Sequence, residues 1–204
     1  MALSEKLAPV VTELIGSRFE RTPVIRAARQ RLVAPAEGRV LEVGVGPGWN
    51  LPHYPTVDEL IATDYLDGML RRARKRAGRE VVTARAPVEE LPYEDGSFDT
   101  VVASLLLCSV ADQDRALREI RRVLKPGGQY LFLEHVRSND PKIAWRQDRL
   151  ERLWGMICFG CHPNRDTLSR IAASFEVHEV ERDEMPQGPK IVRPYVLGRA
   201  VKQE

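Results

Sequence analysis

The chain has 204 residues, 43% hydrophobic and 29% charged, which is ordinary usage for a folded soluble protein and excludes wholesale disorder. Its 31 Lys plus Arg against 29 Asp plus Glu leave a formal net charge of +2, too balanced for a dedicated nucleic-acid binder. Three cysteines, Cys108, Cys158 and Cys161, are too few and too scattered for a disulfide framework, so a reducing cytoplasm is expected. No stretch approaches the ~18 consecutive apolar residues of a membrane span, and no signal peptide is expected.

Two helices are predicted before residue 38. In Ser4–Phe19, Leu7, Val10, Val11, Leu14, Ile15 and Phe19 recur at helical spacing behind a Ser4 cap. Pro23–Leu32 is the second, and Pro35 and Gly38 then break the chain. From Arg39 strands and helices alternate. Val40–Val43 reads as a strand ending in glycines, Glu59–Thr63 as a second strand ending at Asp64, and Leu66–Arg79 as a very basic helix. Val81–Ala84 is a weak third strand. Phe98–Leu107 is nearly continuously apolar, as a strand buried on both faces should be. Asp114–Leu124 is amphipathic, ended by Pro126-Gly127-Gly128, and Gln129–Val136 is the next strand. This rhythm implies βαβ units and a parallel sheet. The last third departs from it. Pro141–Met156 and Asp166–Ala173 read as helices, and Glu176–Arg182 and Pro194–Val201 as strands joined without a helix, hence antiparallel.

The sharpest chemical signal is Val40-Leu41-Glu42-Val43-Gly44-Val45-Gly46-Pro47-Gly48, a strand running into G-x-G-x-G. Glycines there let the backbone turn tightly and approach a ligand closely. Asp64 lies 20 residues beyond Gly44 at the end of the second strand, placed for two ribose hydroxyls.

In that segment Glu42 stands ahead of the glycines, and two further segments join it: Leu91-Pro92-Tyr93-Glu94-Asp95-Gly96-Ser97-Phe98-Asp99 and Arg122-Val123-Leu124-Lys125-Pro126-Gly127-Gly128. Together, over residues 38–136, they resemble the class I S-adenosylmethionine-dependent methyltransferases. The resemblance implies a three-layer α/β/α, Rossmann-like fold with a seven-stranded, mostly parallel sheet and an antiparallel last strand. It implies S-adenosylmethionine as cofactor and S-adenosylhomocysteine as product. Gly44, Gly46 and Gly48 would wrap the methionine part, with Glu42, Asn50, Ser104 and Leu105 beside them. Asp64 would hold the ribose, and Tyr65 and Met69 would flank the adenine. The family often carries an Asp where this chain has Pro87, so Val88 or Glu89 would replace that contact. In the C-terminal half, Leu107–Val110, Glu134-His135-Val136, two spaced tryptophans, Gly160-Cys161 and Leu197–Lys202 resemble animal thiol S-methyltransferases. Val40–Tyr54 is similar to bacterial phosphatidylethanolamine N-methyltransferases.

The expected organisation is one methyltransferase domain. Residues 1–37 form a helical lid, 38–136 the cofactor-binding core, 137–174 a helical cap and 175–204 a strand pair. The expected reaction is methyl transfer to a small molecule, a thiol first, with a lipid amine or quinone-type acceptor, or cofactor binding without turnover, as alternatives. Cys108, His135, Trp145, Trp154, Cys161, His162 and Arg165 are the substrate-pocket candidates, with Glu134 and His135 available as bases. Cys158 and Cys161 form C-x-x-C beside His162, but no second pair stands at ligand spacing, so no metal is expected. Cys108 reads as a small buried hydrophobe. The basic run from Arg71 to Arg79 reads as a solvated face, with weak contact to phospholipid headgroups as the minority reading.

Overall fold

The computed structural model describes residues 9–10, 12–13, 16–17, 20, 22–158 and 160–203. The described residues between 9 and 20 are helical, whereas Ser4, Leu7, Val11, Leu14, Ile15 and Phe19 of the predicted first helix lie outside the described residues. Helix α1 (Pro23–Val33) leads into β1 (Arg39–Val43), β2 (Glu59–Asp64), α2 (Asp67–Arg76), β3 (Val82–Arg85) and β4 (Phe98–Ser104). Then come α3 (Gln113–Val123), β5 (Leu124–His135), α4 (Pro141–Ile157), α5 (Thr167–Ser174), β6 (Glu176–Glu184) and β7 (Pro194–Val201). No helix among the described residues is long and apolar enough to cross a membrane.

The seven strands form one sheet in the order β3-β2-β1-β4-β5-β7-β6. The first five run parallel, and β7 alone runs antiparallel, inserted between β5 and β6. Strand order reverses between β1 and β4, so the crevice lies at their C-terminal ends. The sheet separates two apolar layers. Val101 and Ala103 of β4 pack with Ala116, Leu117 and Ile120 of α3 and Ile171 of α5. Val102, pointing the other way, packs with Ile25, Ala28 and Leu32 of α1 and Leu70 and Ala73 of α2. Alternation along a strand buried on both faces explains the unbroken apolar run. Each fully buried Leu or Phe contributes about 1.5–3 kcal/mol through burial.

Three predicted boundaries move. Strand β4 ends at Ser104 rather than Leu107, because Leu105 takes a positive φ of 55° and turns the chain. Helix α2 stops at Arg76 rather than Arg79, with Gly78 at φ 63° just beyond it. Pro126-Gly127-Gly128, expected between helix and strand, lies inside β5, where the register against β4 shifts between Phe98 and Thr100. The basic run is also more than a solvated face. Arg76 donates to the Pro47 carbonyl and to Glu13 Oε1, and Arg79 to the Pro55 carbonyl at 2.8 Å.

Candidate active site

The three loop glycines have distinct tasks. All take positive φ: 62° at Gly44, 55° at Gly46 and 82° at Gly48. A Cβ on Gly44 would strike the Leu106 side chain, and one on Gly48 would lie 2.7 Å from the Ala73 Cα of α2. These two permit close packing of the loop. A Cβ on Gly46 would meet nothing within 4 Å, so this glycine opens onto free space. Its amide donates to Asp64 Oδ2 at 3.0 Å, while Asp64 Oδ1 accepts from the Leu66 amide at 2.9 Å. Asp64 is therefore a buried anchor of the loop. Burial pushes its pKa up, and the amide bonds act against that.

A cavity of about 320 Å³ opens beside it, lined by Gly44, Asp64, Tyr65, Pro87, Val88, Glu89, Leu106 and Ser109 among others. This is at the small end of ligand pockets. Glu89 Oε1 accepts from the Ala111 amide at 3.1 Å, tying the two rims together. The structure thus brings Tyr65, Pro87, Val88 and Glu89 to one cavity. Met69 is instead buried against Leu66.

Beneath the loop runs a buried polar chain. Arg29 Nε and Nη2 donate to both oxygens of Glu20, at 2.6 and 2.7 Å. Arg29 Nη1 donates to Asn50 Oδ1 at 2.7 Å and to Ser104 Oγ at 2.8 Å. Asn50 Nδ2 then donates to Glu42 Oε1 at 2.8 Å. Burial pushes Glu42 up to about 7, against the lowering effects of Asn50 and Arg29. Sequence reading missed Arg29. The signal was present, since Ile25, Ala28, Arg29 and Leu32 form one buried stripe of α1, with an arginine where a hydrophobe belongs.

The segment after β4 is held from several sides. Glu134, with no exposed surface, accepts from the Leu106 and Leu107 amides. It is a structural clamp and not an accessible base, and burial pushes it up to about 7. Arg165 donates from Nη1 to the Leu107 and Val110 carbonyls, both at 2.8 Å, so it too supports the loop. Gln113 Nε2 donates to the Leu107 carbonyl at 3.0 Å. The His162 amide donates to the Cys108 carbonyl at 2.7 Å, while its ring pairs with Glu151.

Cys161 groups with residues distant in sequence rather than with its C-x-x-C neighbour Cys158. Cys161 Sγ lies 3.7 Å from Cys108 Sγ and 3.8 Å from His135 Nδ1. Cys158 and the His162 ring stand outside this group. The Cys161 contact, together with burial, raises the Cys108 pKa well above the usual thiol range. Trp145 is 61% exposed, under the Arg149 guanidinium, and Trp154 is half-buried. Neither lines the cavity.

Residues 41–132 match a family model described as a methyltransferase domain. Human thiol S-methyltransferase TMT1A is 33% identical over 174 residues, covering 80% of this chain and 70% of the relative. The phosphatidylethanolamine N-methyltransferase of Cereibacter sphaeroides is 33% identical over 156 residues, covering 74% and 75%. The chain belongs to the class I S-adenosylmethionine-dependent methyltransferases. The N-methyltransferase NodS of Bradyrhizobium japonicum WM9, solved with S-adenosyl-L-homocysteine, shares the fold with a TM-score of 0.71 at 19% identity, over 92% of this chain and 91% of that one.

The residues of this methyltransferase fit its cofactor. Gly46 presents open space where a side chain would intrude. A carboxylate has about four lone-pair sites. Asp64 uses two on backbone amides, which leaves acceptor capacity for hydroxyls.

Proposed function

We propose that this methyltransferase acts on a small thiol. S-adenosylmethionine supplies an activated methyl group when bound. The chain's part is then alignment, desolvation and exclusion of water. In this reading Gly46 and Asp64 hold the methionine and ribose parts, and Tyr65, Val88 and Glu89 flank the adenine. The Arg29–Asn50–Glu42 chain keeps the loop in shape, and the helical residues between 9 and 20 form part of a lid.

One observation carries the acceptor class. The carboxylates at the cleft are all engaged with backbone amides: Asp64 with Gly46 and Leu66, Glu89 with Ala111, and Glu134 with Leu106 and Leu107. An alkylammonium acceptor needs a base to lose its proton. A thiol, with an ordinary pKa near 8.5, is already a few per cent thiolate at neutral pH. The thiol S-methyltransferases among the relatives support the same reading.

The test is a mass-spectrometric acceptor screen with alkyl and aryl thiols, phosphatidylethanolamine vesicles and small phenols. Methylated thiols are expected. Activity on the vesicles with none on any thiol would overturn the proposal, as would cofactor binding without any turnover.

A second reading is action at a lipid surface, favoured by α4. Trp145, Leu153, Met156 and Ile157 are 61%, 52%, 75% and 57% exposed, interleaved with Arg146, Arg149 and Arg152. Such a helix can lie in a headgroup layer. Liposome flotation with anionic vesicles tests it, and a protein that stays at the bottom of the gradient counts against it.

A further inference from the structure

Three soft donors converge from three separate parts of the chain. Cys108 Sγ, Cys161 Sγ and His135 Nδ1 form a nearly equilateral triangle with edges of 3.7, 3.8 and 3.9 Å. The fold fixes all three. His135 ends β5, and register against β7 pairs it with Tyr195. Cys108 follows the turn that Glu134, the neighbour of His135, holds by two amides. The Cys161 loop is joined to the Cys108 segment by the His162 amide on the Cys108 carbonyl. The triangle is set by the scaffold rather than by the chance meeting of mobile thiols.

Its size matches a metal. Zinc holds thiolate sulfur at about 2.3 Å and imidazole nitrogen at about 2.0–2.1 Å, so a tetrahedral ion needs donor separations of ~3.5–3.8 Å. The centre of the observed triangle lies ~2.2 Å from each corner, so an ion ~0.3 Å above the plane reaches both sulfurs at ~2.3 Å and the nitrogen at ~2.1 Å. Closing the two sulfur–nitrogen edges by only ~0.3 Å makes the three donors one face of a tetrahedron and leaves a fourth position open. Two thiolates and an imidazole also suit zinc by softness. Apolar packing alone, the usual role of a buried cysteine, gives no reason for both sulfurs to face a ring nitrogen.

We propose that Cys108, His135 and Cys161 bind one zinc ion whose fourth position takes the acceptor thiol as its thiolate. The second half rests on the thiol reading of the site. Metal binding deprotonates both cysteines and releases the two protons to solvent. At the fourth position the incoming thiol forms a zinc–sulfur bond, displaces a water and gives its proton to solvent. A cation at that point favours the anion, which supplies the ionisation for which the cleft has no unengaged carboxylate. The position is next to the cleft, since Leu106 and Ser109, on either side of the Cys108 segment, line the cavity. Three protein ligands with one exchangeable position is the arrangement of catalytic rather than structural zinc.

The test uses the full chain, reduced, loaded with zinc chloride and freed of excess metal. Elemental analysis should give about one zinc per chain, falling at least tenfold in Cys108→Ser, Cys161→Ser and His135→Gln. Cys158→Ser should keep the metal. Cobalt substitution of the unmodified chain should give the sulfur-to-metal charge-transfer band and intense visible bands of a tetrahedral thiolate site, so the idea stays falsifiable if a variant fails to fold. Adding a small aryl thiol should shift those visible bands. Wild-type protein that retains no zinc, or a mass 2 Da lower from a Cys108–Cys161 disulfide under reducing conditions, overturns the site. Loss of zinc in Cys158→Ser, or a cobalt spectrum indifferent to thiols, overturns the open position. Failure of the thiol reading shows separately, as an acceptor screen without methylated thiols on protein that carries its zinc.

Discussion

Glu134 Oε1 stands 2.9 Å from the Leu107 amide nitrogen and 3.0 Å from that of Leu106, so one buried oxygen holds two consecutive donors. The bonds stop β4 and force Leu105 to φ 55°, the one positive φ at a non-glycine among the described residues. Such a conformation costs on the order of 1–2 kcal/mol and persists only where the surroundings impose it. The turn it makes carries Leu106 onto Gly44 and Cys108 towards His135.

This clamp makes stability depend on pH. Burial raises Glu134 from its ordinary 4.5 to about 7, and Glu42 likewise. Between those limits the folded chain holds protons that the unfolded chain has released. Stability from these groups is therefore full below about 4.5 and is lost as pH rises towards 7, by up to ~1.4 kcal/mol per pH unit for each. His53, whose pKa burial lowers, acts oppositely just below its ordinary 6.5. Urea unfolding of the wild type and Glu134→Gln from pH 5 to 8 isolates one carboxyl. The variant should lose stability less steeply with pH. Parallel curves would show that Glu134 does not titrate in that window.

Asp64 is expected to matter to both fold and cofactor. It caps the Gly46 and Leu66 amides, so Asp64→Ala leaves two donors unpaired and should cost about 1–3 kcal/mol of stability each where water cannot replace it. Asp64→Asn keeps an acceptor and is the cleaner probe. Its S-adenosylmethionine affinity should fall by about 1.5–3 kcal/mol, the range for hydrogen bonds to a charged group. Calorimetry on folded Asp64→Asn with wild-type affinity would remove Asp64 from the ribose site.

The glycines should separate by phenotype. Gly46→Ala adds a methyl to open space at φ 55°. The strain is about 1–2 kcal/mol, and in the proposed site the methyl would occupy room for the cofactor. Gly48→Ala drives a Cβ to within 2.7 Å of a helix backbone atom at φ 82°, which nothing flexible can relieve. Gly46→Ala should remain folded and lose cofactor binding, and Gly48→Ala should show the larger drop in melting temperature. The reverse order would mean that Gly46 is the packing residue.

What the sequence made legible follows from local periodicity. The run around Val101–Ala103 reads as a doubly buried strand because both apolar layers claim it. That the glycine loop and Asp64 meet was legible because their spacing is short and their contact is backbone chemistry. The end of β4 was illegible. Leu105, Leu106 and Leu107 continue the apolar pattern, and the stop is imposed by Glu134, 28 residues after Leu106. The grouping of the thiols was illegible for the same reason. Adjacency along the chain points to Cys158 and His162, whereas the Cys161 thiol meets partners 53 and 26 residues away.

Arg29 is the residue on which the site's framework should depend most. Its side chain is 4% exposed and makes four hydrogen bonds, two to Glu20 and one each to Asn50 and Ser104. The Glu20 pair is a two-pronged fork that lysine cannot reproduce. Breaking a buried pair from one side strands the other charge, at about 3–5 kcal/mol. Arg29→Met keeps volume and removes the charge, so it should be destabilised by that amount. Arg29→Lys should recover only part of it. Glu20→Gln removes the stranded charge, so the double variant Arg29→Met with Glu20→Gln should be less destabilised than the two single losses added together. Because Arg29 also orients Asn50 against Glu42 beneath the glycine loop, S-adenosylmethionine affinity should fall in Arg29→Met even under conditions where the variant is fully folded. Equal unfolding midpoints for Arg29→Met and wild type would show that the network contributes nothing to stability. Strict additivity in the double variant would show that Arg29 and Glu20 act independently.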